Sequence, residues 1–390
     1  KSTNASSLNN VFLYGEIKCK MIPGRITMTE KELILAVFNK TFHDRIPWFA
    51  DLSYLYGSME TKNTLPDNFK GECGYLEFHK ELGAGICFYA PYPWELKYPD
   101  EISMWVTNGN NLRTTRYSTP VGEISCTEQY LPDTFSWSIT KHYVNTIEDL
   151  RVMKYICRHA KYKENYSEFS RISTLWGDHG LAAAIPVIPS SPLQKLLTRW
   201  AGVENTIFLH MDYEDEFKDI LCEIKEAELP VFDIIANSPC QYVEFAENLS
   251  SEITGTNFFR EFNLPHYRKR NDLLHSAGKF TGIHIDGTLK PCLSMLSECG
   301  FDAAEAVTPY PVGDIRISDL RKEAGKDLII WGGLPGAMFS PLYSEADFIH
   351  HMEEILQEFS DDPLFILGVA DQVPPDGLIS RVRLVREMMG

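Results

Sequence analysis

The stretch from Lys279 to Gly336 reads KFTGIHIDG, LKPCLSMLSECG, FDAAEAVTPYPVGD, a further helix-length run and KDLIIWGGLPG. Short apolar runs alternate with segments long enough for helices. Each apolar run ends in polar or glycine residues: His284 and Asp286, then Glu305 and Asp314, then Trp331 with Gly332 and Gly333. This is the pattern of strand, helix, strand, helix, strand, with reactive side chains at the carboxyl ends of the strands, where parallel α/β folds build their sites.

The same alternation extends in both directions. Eight candidate strands fall at 46–52, 83–90, 181–188, 231–237, 280–286, 303–308, 328–333 and 364–370, and 241–276 reads as helix broken at Pro265. Thr29 is a candidate N-cap for a helix within 28–44. The count predicts an α/β fold, a (β/α)8 TIM barrel. Residues 91–145 break the alternation with strand-like runs separated by turn residues, Asn108-Gly109 among them. They read as an antiparallel insertion after the second strand, whose Trp105, Tyr117 and Trp137 would pack over one end of the barrel. The whole chain, 1–390, reads as one barrel domain, with 1–27 as an N-terminal arm.

The 390 residues carry a formal net charge of −17, and 44% are hydrophobic. Nucleic acid and anionic membranes call for a positive field, so neither is an expected partner. No apolar run reaches the roughly 18 residues of a spanning helix. Nine cysteines, an odd number without a paired framework, fit a reduced, cytoplasmic protein. Self-association stays open.

If the barrel is right, its mouth holds Asp51, Tyr89, Asn237, His284, Asp286, Glu305, Trp331, Ala370 and Asp371. His284 and Asp286 are one residue apart, so on a strand they share a side. The pair could be metal ligands, a base with its orienting partner, or a structural hydrogen bond. Catalytic candidates are His284, Asp286 and Glu305. Tyr89, Asn237, Trp331 and Asp371 are candidates for substrate binding, and His284, Asp286 and Asp371 for a divalent metal such as zinc. Gly332, Gly333 and Gly336 read as a tight turn. Cys292 and Cys299 read as core residues. The acidic run 211–219 reads as a solvated helix face.

The run GIHIDGTLKPCLSMLSECGFDAAEAVTPYPVGDIRISDLRKEAGKDLIIWGGLP, with Asp44–Trp48, Thr119–Gly122 and the closing GVADQVPPDG, resembles the uroporphyrinogen decarboxylase superfamily. The resemblance implies a (β/α)8 barrel with its site at the carboxyl end. True decarboxylases of that superfamily carry an arginine-rich motif after the first strand and an aspartate at the end of the second. Here the corresponding stretches are Asp51-Leu52-Ser53-Tyr54-Leu55 and Phe88-Tyr89-Ala90-Pro91. An acid-lined mouth is wrong for a substrate with eight carboxylates, which excludes porphyrinogen decarboxylation. The other branch implied is the methyltransferases that use a corrinoid carried on a partner protein. Their zinc is held by a histidine, a cysteine two residues later and a further cysteine after the final strand. His284 matches the histidine, Asp286 stands at the first cysteine position, and Ala370 or Asp371 at the second. The expectation is therefore a methyltransferase-like enzyme moving a methyl group from a small methyl ether or methylamine to a corrinoid. A lyase or decarboxylase of a small substrate and a non-catalytic binding barrel are the alternatives.

Overall fold

In the computed structural model, residues 27–390 are described, apart from the side chains of Phe88 and Tyr89. The expected N-terminal arm thus lies almost wholly outside the described residues. The strands are β1 (Trp48–Phe49), β2 (Ile86–Tyr89), β3 (Trp94–Lys97), β4 (Ser103–Gly109), β5 (Leu112–Thr119), β6 (Gly122–Leu131), β7 (Ser136–Lys141), β8 (Lys161–Glu164), β9 (Gly180–Ala184), β10 (Tyr242–Leu249), β11 (Phe280–Ile285), β12 (Ala303–Val307), β13 (Ile329–Pro335) and β14 (Phe365–Ala370). Eight of them pair in the order β1-β14-β13-β12-β11-β10-β9-β2, and a parallel bridge between Phe49 and Gly85 joins the two ends. Helices separate successive barrel strands, so the protein is a (β/α)8 barrel.

Period-two alternation sorts the side chains. Val243, Phe245, Ile283, Ile330 and Leu367 face outward, into the core shared with the helices. Leu181, Tyr242, Ile329, Trp331 and Ile366 belong to a second apolar cluster that fills the barrel. The helix Glu30–Phe38 seals the amino end by adding Ile34, Val37 and Phe38 to that cluster. Thr29 caps it as expected, in a reciprocal box with Glu32. The Phe38 ring lies 5.0 Å from Tyr242 and 5.1 Å from Phe280.

One strand assignment is wrong. Residues 231–237 are not a strand: Leu229–Ala236 is a helix with Pro230 in its first turn. Its apolar run is too short for periodicity to tell helix from strand, and proline at a helix start tips the balance. The missing strand is β10, inside the segment read as helical. Around Pro265 the chain stays helical: a π-helical stretch, Phe259–Asn263, runs directly into the helix Leu264–Ser276. The glycines of GGLPG also differ from expectation, because Gly332 and Gly333 lie within β13 and the turn begins only at Gly336.

The insertion is a four-stranded antiparallel sheet, β4-β5-β6-β7, with β3 pairing separately to β8. The β4–β5 hairpin turns on Asn110 and Asn111, both with positive φ, one step beyond the Asn-Gly signal. The aromatics expected over the barrel end pack elsewhere. Trp137 lies 4.3 Å from the Arg113 guanidinium, Trp105 lies beside Arg116, and Tyr117 packs between Tyr98 and Tyr143.

Gly332 has φ +146°, and a Cβ there would fall 2.5 Å from the Val307 carbonyl oxygen and 2.6 Å from its nitrogen. Backbone cannot step aside as a side chain can. Gly332→Ala is expected to lower unfolding stability by about 1–3 kcal/mol, the cost of overpacking, read as a reduced urea midpoint with unchanged slope.

Candidate active site

The carboxyl end of the barrel opens through two connected cavities. The inner one, about 250 Å³, is lined among others by Asp51, Cys87, Glu244, His284, Glu305 and Asp371. Its apolar wall is Phe49 and Trp331, whose rings meet edge to face at 5.9 Å. Gly368 makes room for that indole, since a Cβ there would lie 2.8 Å from it. The outer cavity, about 580 Å³, shares Tyr54, Asp371 and Gln372 with the inner one and adds Asp286, Lys62 and, from the β6–β7 turn of the insertion, Asp133 and Thr134.

Three strands build the polar cluster. His284 on β11 is in register with Glu305 on β12, and β10 lies on the other side, with Glu244 beside Gly282. Both flanking strands lose register at their carboxyl ends, β10 between Ala246 and Leu249 and β12 between Ala304 and Val307. Asn248 and Ala306 take positive φ there. Such irregularities bend a strand and re-aim its side chains.

His284 Nδ1 lies 2.5 Å from Glu305 Oε2, and His284 Nε2 lies 3.7 Å from Asp371 Oδ1. One donor atom from each of Glu244, His284 and Glu305 falls within 4.8 Å of the others. Glu244 is 4% and His284 7% exposed. Burial alone would depress the imidazolium, but the facing carboxylates, Glu305 foremost, outweigh it and raise the His284 pKa to about 10. Burial and then the neighbouring Glu305 push Glu244 well above the usual carboxylate range, so it is held protonated and hydrogen-bonded to Glu305. Burial lifts Asp51 to about 6 against hydrogen bonds from Ser53, and Asp371 and Glu305 add to the rise. Asp371 is raised by burial and by Asp286 and Glu305, with His284 opposing. The Cys87 thiol is pushed well above its usual value by burial, then by Glu244 and Glu305, and stays a thiol.

Of the sequence candidates, the fold brings His284, Glu305, Trp331, Asp371 and Asp51 together. Asp286 is not on the strand with His284: β11 ends at Ile285, and the Asp286 side chain is exposed in the outer cavity. Glu244 stands beside His284 and Glu305, where Asp286 was expected. Ala370 ends β14 at the outer cavity. Asn237 is the C-cap of the helix that replaced the expected strand, exposed on the amino side of β10, with its amide donating to the Asp233 carbonyl. The side chain of Tyr89 lies outside the described residues. Asp314 accepts from the amides of Leu289 and Lys290 and so pins the loop after β11. Glu244 was hidden because a glutamate inside YVEFAENL breaks the apolar signature of a barrel strand. The only cue was the alternation of Tyr242, Glu244 and Ala246 against Val243 and Phe245. Cys292 and Cys299 are buried in the core, as expected.

The donor set of one imidazole and two carboxylates suits zinc or a harder divalent cation, with no thiolate.

The family model of uroporphyrinogen decarboxylase matches residues 195–389. No curated protein matches the chain. Among solved structures, a methyltransferase from Methanosarcina mazei is 13% identical, with a TM-score of 0.59 over 92% of this chain and 98% of its own. An FMN-binding β-glucuronidase from Facaelibacterium prausnitzii, also 13% identical, covers 68% of this chain and 46% of its own at a TM-score of 0.27, too low to weigh.

The cluster generates a contrast in stability. His284→Ala leaves Glu305 buried without its cation and is expected to cost about 3–5 kcal/mol. Glu244→Gln replaces a protonated carboxyl by a neutral donor of the same shape and should change stability by less than about 1.5 kcal/mol. Chemical denaturation of both variants beside wild type checks the pair.

Proposed function

The chain belongs to the uroporphyrinogen decarboxylase family, and from that premise we propose that it is a methyltransferase, taking a methyl group from a small methyl ether or methylamine and passing it to a corrinoid on a partner protein. The observation that carries this reading is the lining of the inner cavity. Four carboxyl groups face one imidazole there, and among the described residues no lysine or arginine lines it. A substrate held by several carboxylates, as a porphyrinogen is, finds only His284 as a cation there, and that is already paired with Glu305. The volume lies below the roughly 300–1,000 Å³ of sites for drug-sized ligands, which suits a donor of few atoms. The likeness in fold to a methyltransferase supports the same reading.

The division of the mouth suits two reactants. The donor sits inside, its methyl pointing outward, against Trp331 and Phe49. The outer cavity is the side from which an acceptor presented by another protein would approach. The corrinoid supplies the nucleophilic cobalt when bound. Departure of the methyl leaves an electron pair on oxygen or nitrogen, and an electrophile must meet it. His284 stands at that place with Glu305 holding its Nδ1, a pairing that fixes ring orientation. Its Nε2 is the atom from which the leaving group takes a proton. Glu244, His284 and Glu305 would hold a divalent metal if one binds, and it would supply Lewis acidity to the leaving group.

A decarboxylase of a small acid is less well supported, because its carboxylate would have Lys62, in the outer cavity, as its nearest lysine among the lining residues.

Two measurements test the proposal. Methyl ethers and methylamines should alkylate free cob(I)alamin in the presence of the wild-type protein, with kcat reduced at least about 100-fold in His284→Ala, the loss typical of a positioned acid. Absence of alkylation with folded protein, or release of carbon dioxide instead, would remove the reading. Separately, wild type should retain one zinc ion per chain after zinc loading and dialysis, and both His284→Ala and Glu244→Gln should lose it.

A further inference from the structure

Strand β4 lies at an open end of the insertion sheet, and all seven of its residues are exposed. Among the described residues, its only strand partner is β5. Natural sheets guard such edges with charges, proline, bulges or a covering element, because the free N–H and C=O groups are a template for another strand. The opposite edge follows that rule: β7 ends in Lys141 and meets β6 through a bulge at Thr127 and Glu128. The sequence of β4, SMWVTNG, has no charge and no proline, and its pairing with β5 is unbroken from Ser103 to Gly109.

The strand is also apolar. Met104, Trp105 and Val106 are 51%, 40% and 45% exposed. Among the described residues, seven of the 22 exposed large hydrophobic side chains fall between residues 103 and 141, a tenth of the chain. Register shows why they are bare. Met104 pairs with Tyr117, which pairs with Ile124, while Val106 leads through Thr115 to Cys126. Ile124 and Cys126 are buried, and Ile124 shares a cluster with Leu150, Met153 and Ile156 of the helix Ile147–His159. Met104 and Val106 continue that same face past the point where the helix covers it.

Charge selects the occupant. The whole chain carries −17, so two copies repel over most of their surface. Between residues 103 and 141 the charges balance, with Arg113, Arg116 and Lys141 against Glu123, Glu128 and Asp133. This sheet is a neutral island, and its edge has no like charges to juxtapose.

We infer that β4 pairs antiparallel with β4 of a second copy about a two-fold axis at Trp105, merging two four-stranded sheets into one of eight strands. This register sets Met104 against Val106 of the second copy and Trp105 against its own equivalent. It is self-complementary, as a two-fold interface must be, and it continues the apolar face across the seam. No residue of β4 lines either cavity of the barrel mouth, and the inference does not depend on the reaction assigned to it.

Sedimentation velocity over a dilution series of the full chain tests this, with Val106→Lys and Trp105→Lys beside wild type. Wild type should sediment as a dimer. Each lysine, set opposite the second copy's edge, should weaken the dimer at least about tenfold. Both sites are exposed in the protomer, so circular dichroism should be unchanged. The alternate amides of 103–109 that point away from β5 should exchange slowly with deuterium in the dimer and quickly after dilution to monomer. A wild type that is monomeric at every concentration overturns the inference, including one whose β4 amides are protected by another part of the chain. A dimer that neither lysine weakens overturns it as well, since assembly would then use a different face.

Discussion

One imidazole among four carboxyl groups is the constraint on which the mouth of this barrel depends. Asp51, Glu244, Glu305 and Asp371 line one cavity with His284, and away from bulk water like charges repel more strongly. The cluster relieves itself by keeping Glu244 protonated and His284 cationic. The hydrogen bond from His284 to Glu305, both on paired strands at the same level of register, is the contact that holds this balance. Everything that fixes those two strands therefore also fixes the chemistry.

The barrel interior supplies that rigidity from below. Trp331, Phe49 and Tyr242 form an aromatic layer under the polar cluster, and Phe38 from the amino-terminal helix packs beneath it. Missing side chains matter as much as present ones, because Gly368 gives the Trp331 indole its place and Gly332 lets β13 close on Val307. The polar residues thus sit on a packed base, and the irregular ends of β10 and β12 set their final direction.

Legibility in the sequence followed burial chemistry. Strands whose inward and outward faces are both apolar, such as GLAAA and LFILGVA, announce themselves, and so do helices opened by Thr29, Thr146 and Ser344. His284 and Glu305 were found because each is the polar residue that ends a short apolar run. Strand β10 was not found, because Glu244, Glu247 and Asn248 dilute its apolar content, and the helix at Leu229–Ala236 offers a more hydrophobic decoy nearby. Asp286 was misplaced for a related reason, since a strand's end cannot be read to one residue. In this protein the residue that most obscures the fold is one of those that make the site.

The sealed amino end of the barrel also imposes an order of events. With Phe38 and Phe280 under Tyr242, the described residues leave the cavity no rear exit. Whatever enters the inner chamber and whatever remains after reaction must use the same opening. Under the methyl-transfer reading, the donor loads before the acceptor protein covers the mouth, and the spent donor stays enclosed until that protein departs. Excess donor then does not compete with its own product for a second route. On the same reading, an acceptor protein bound to the empty barrel would be a dead end that slows turnover as its concentration rises.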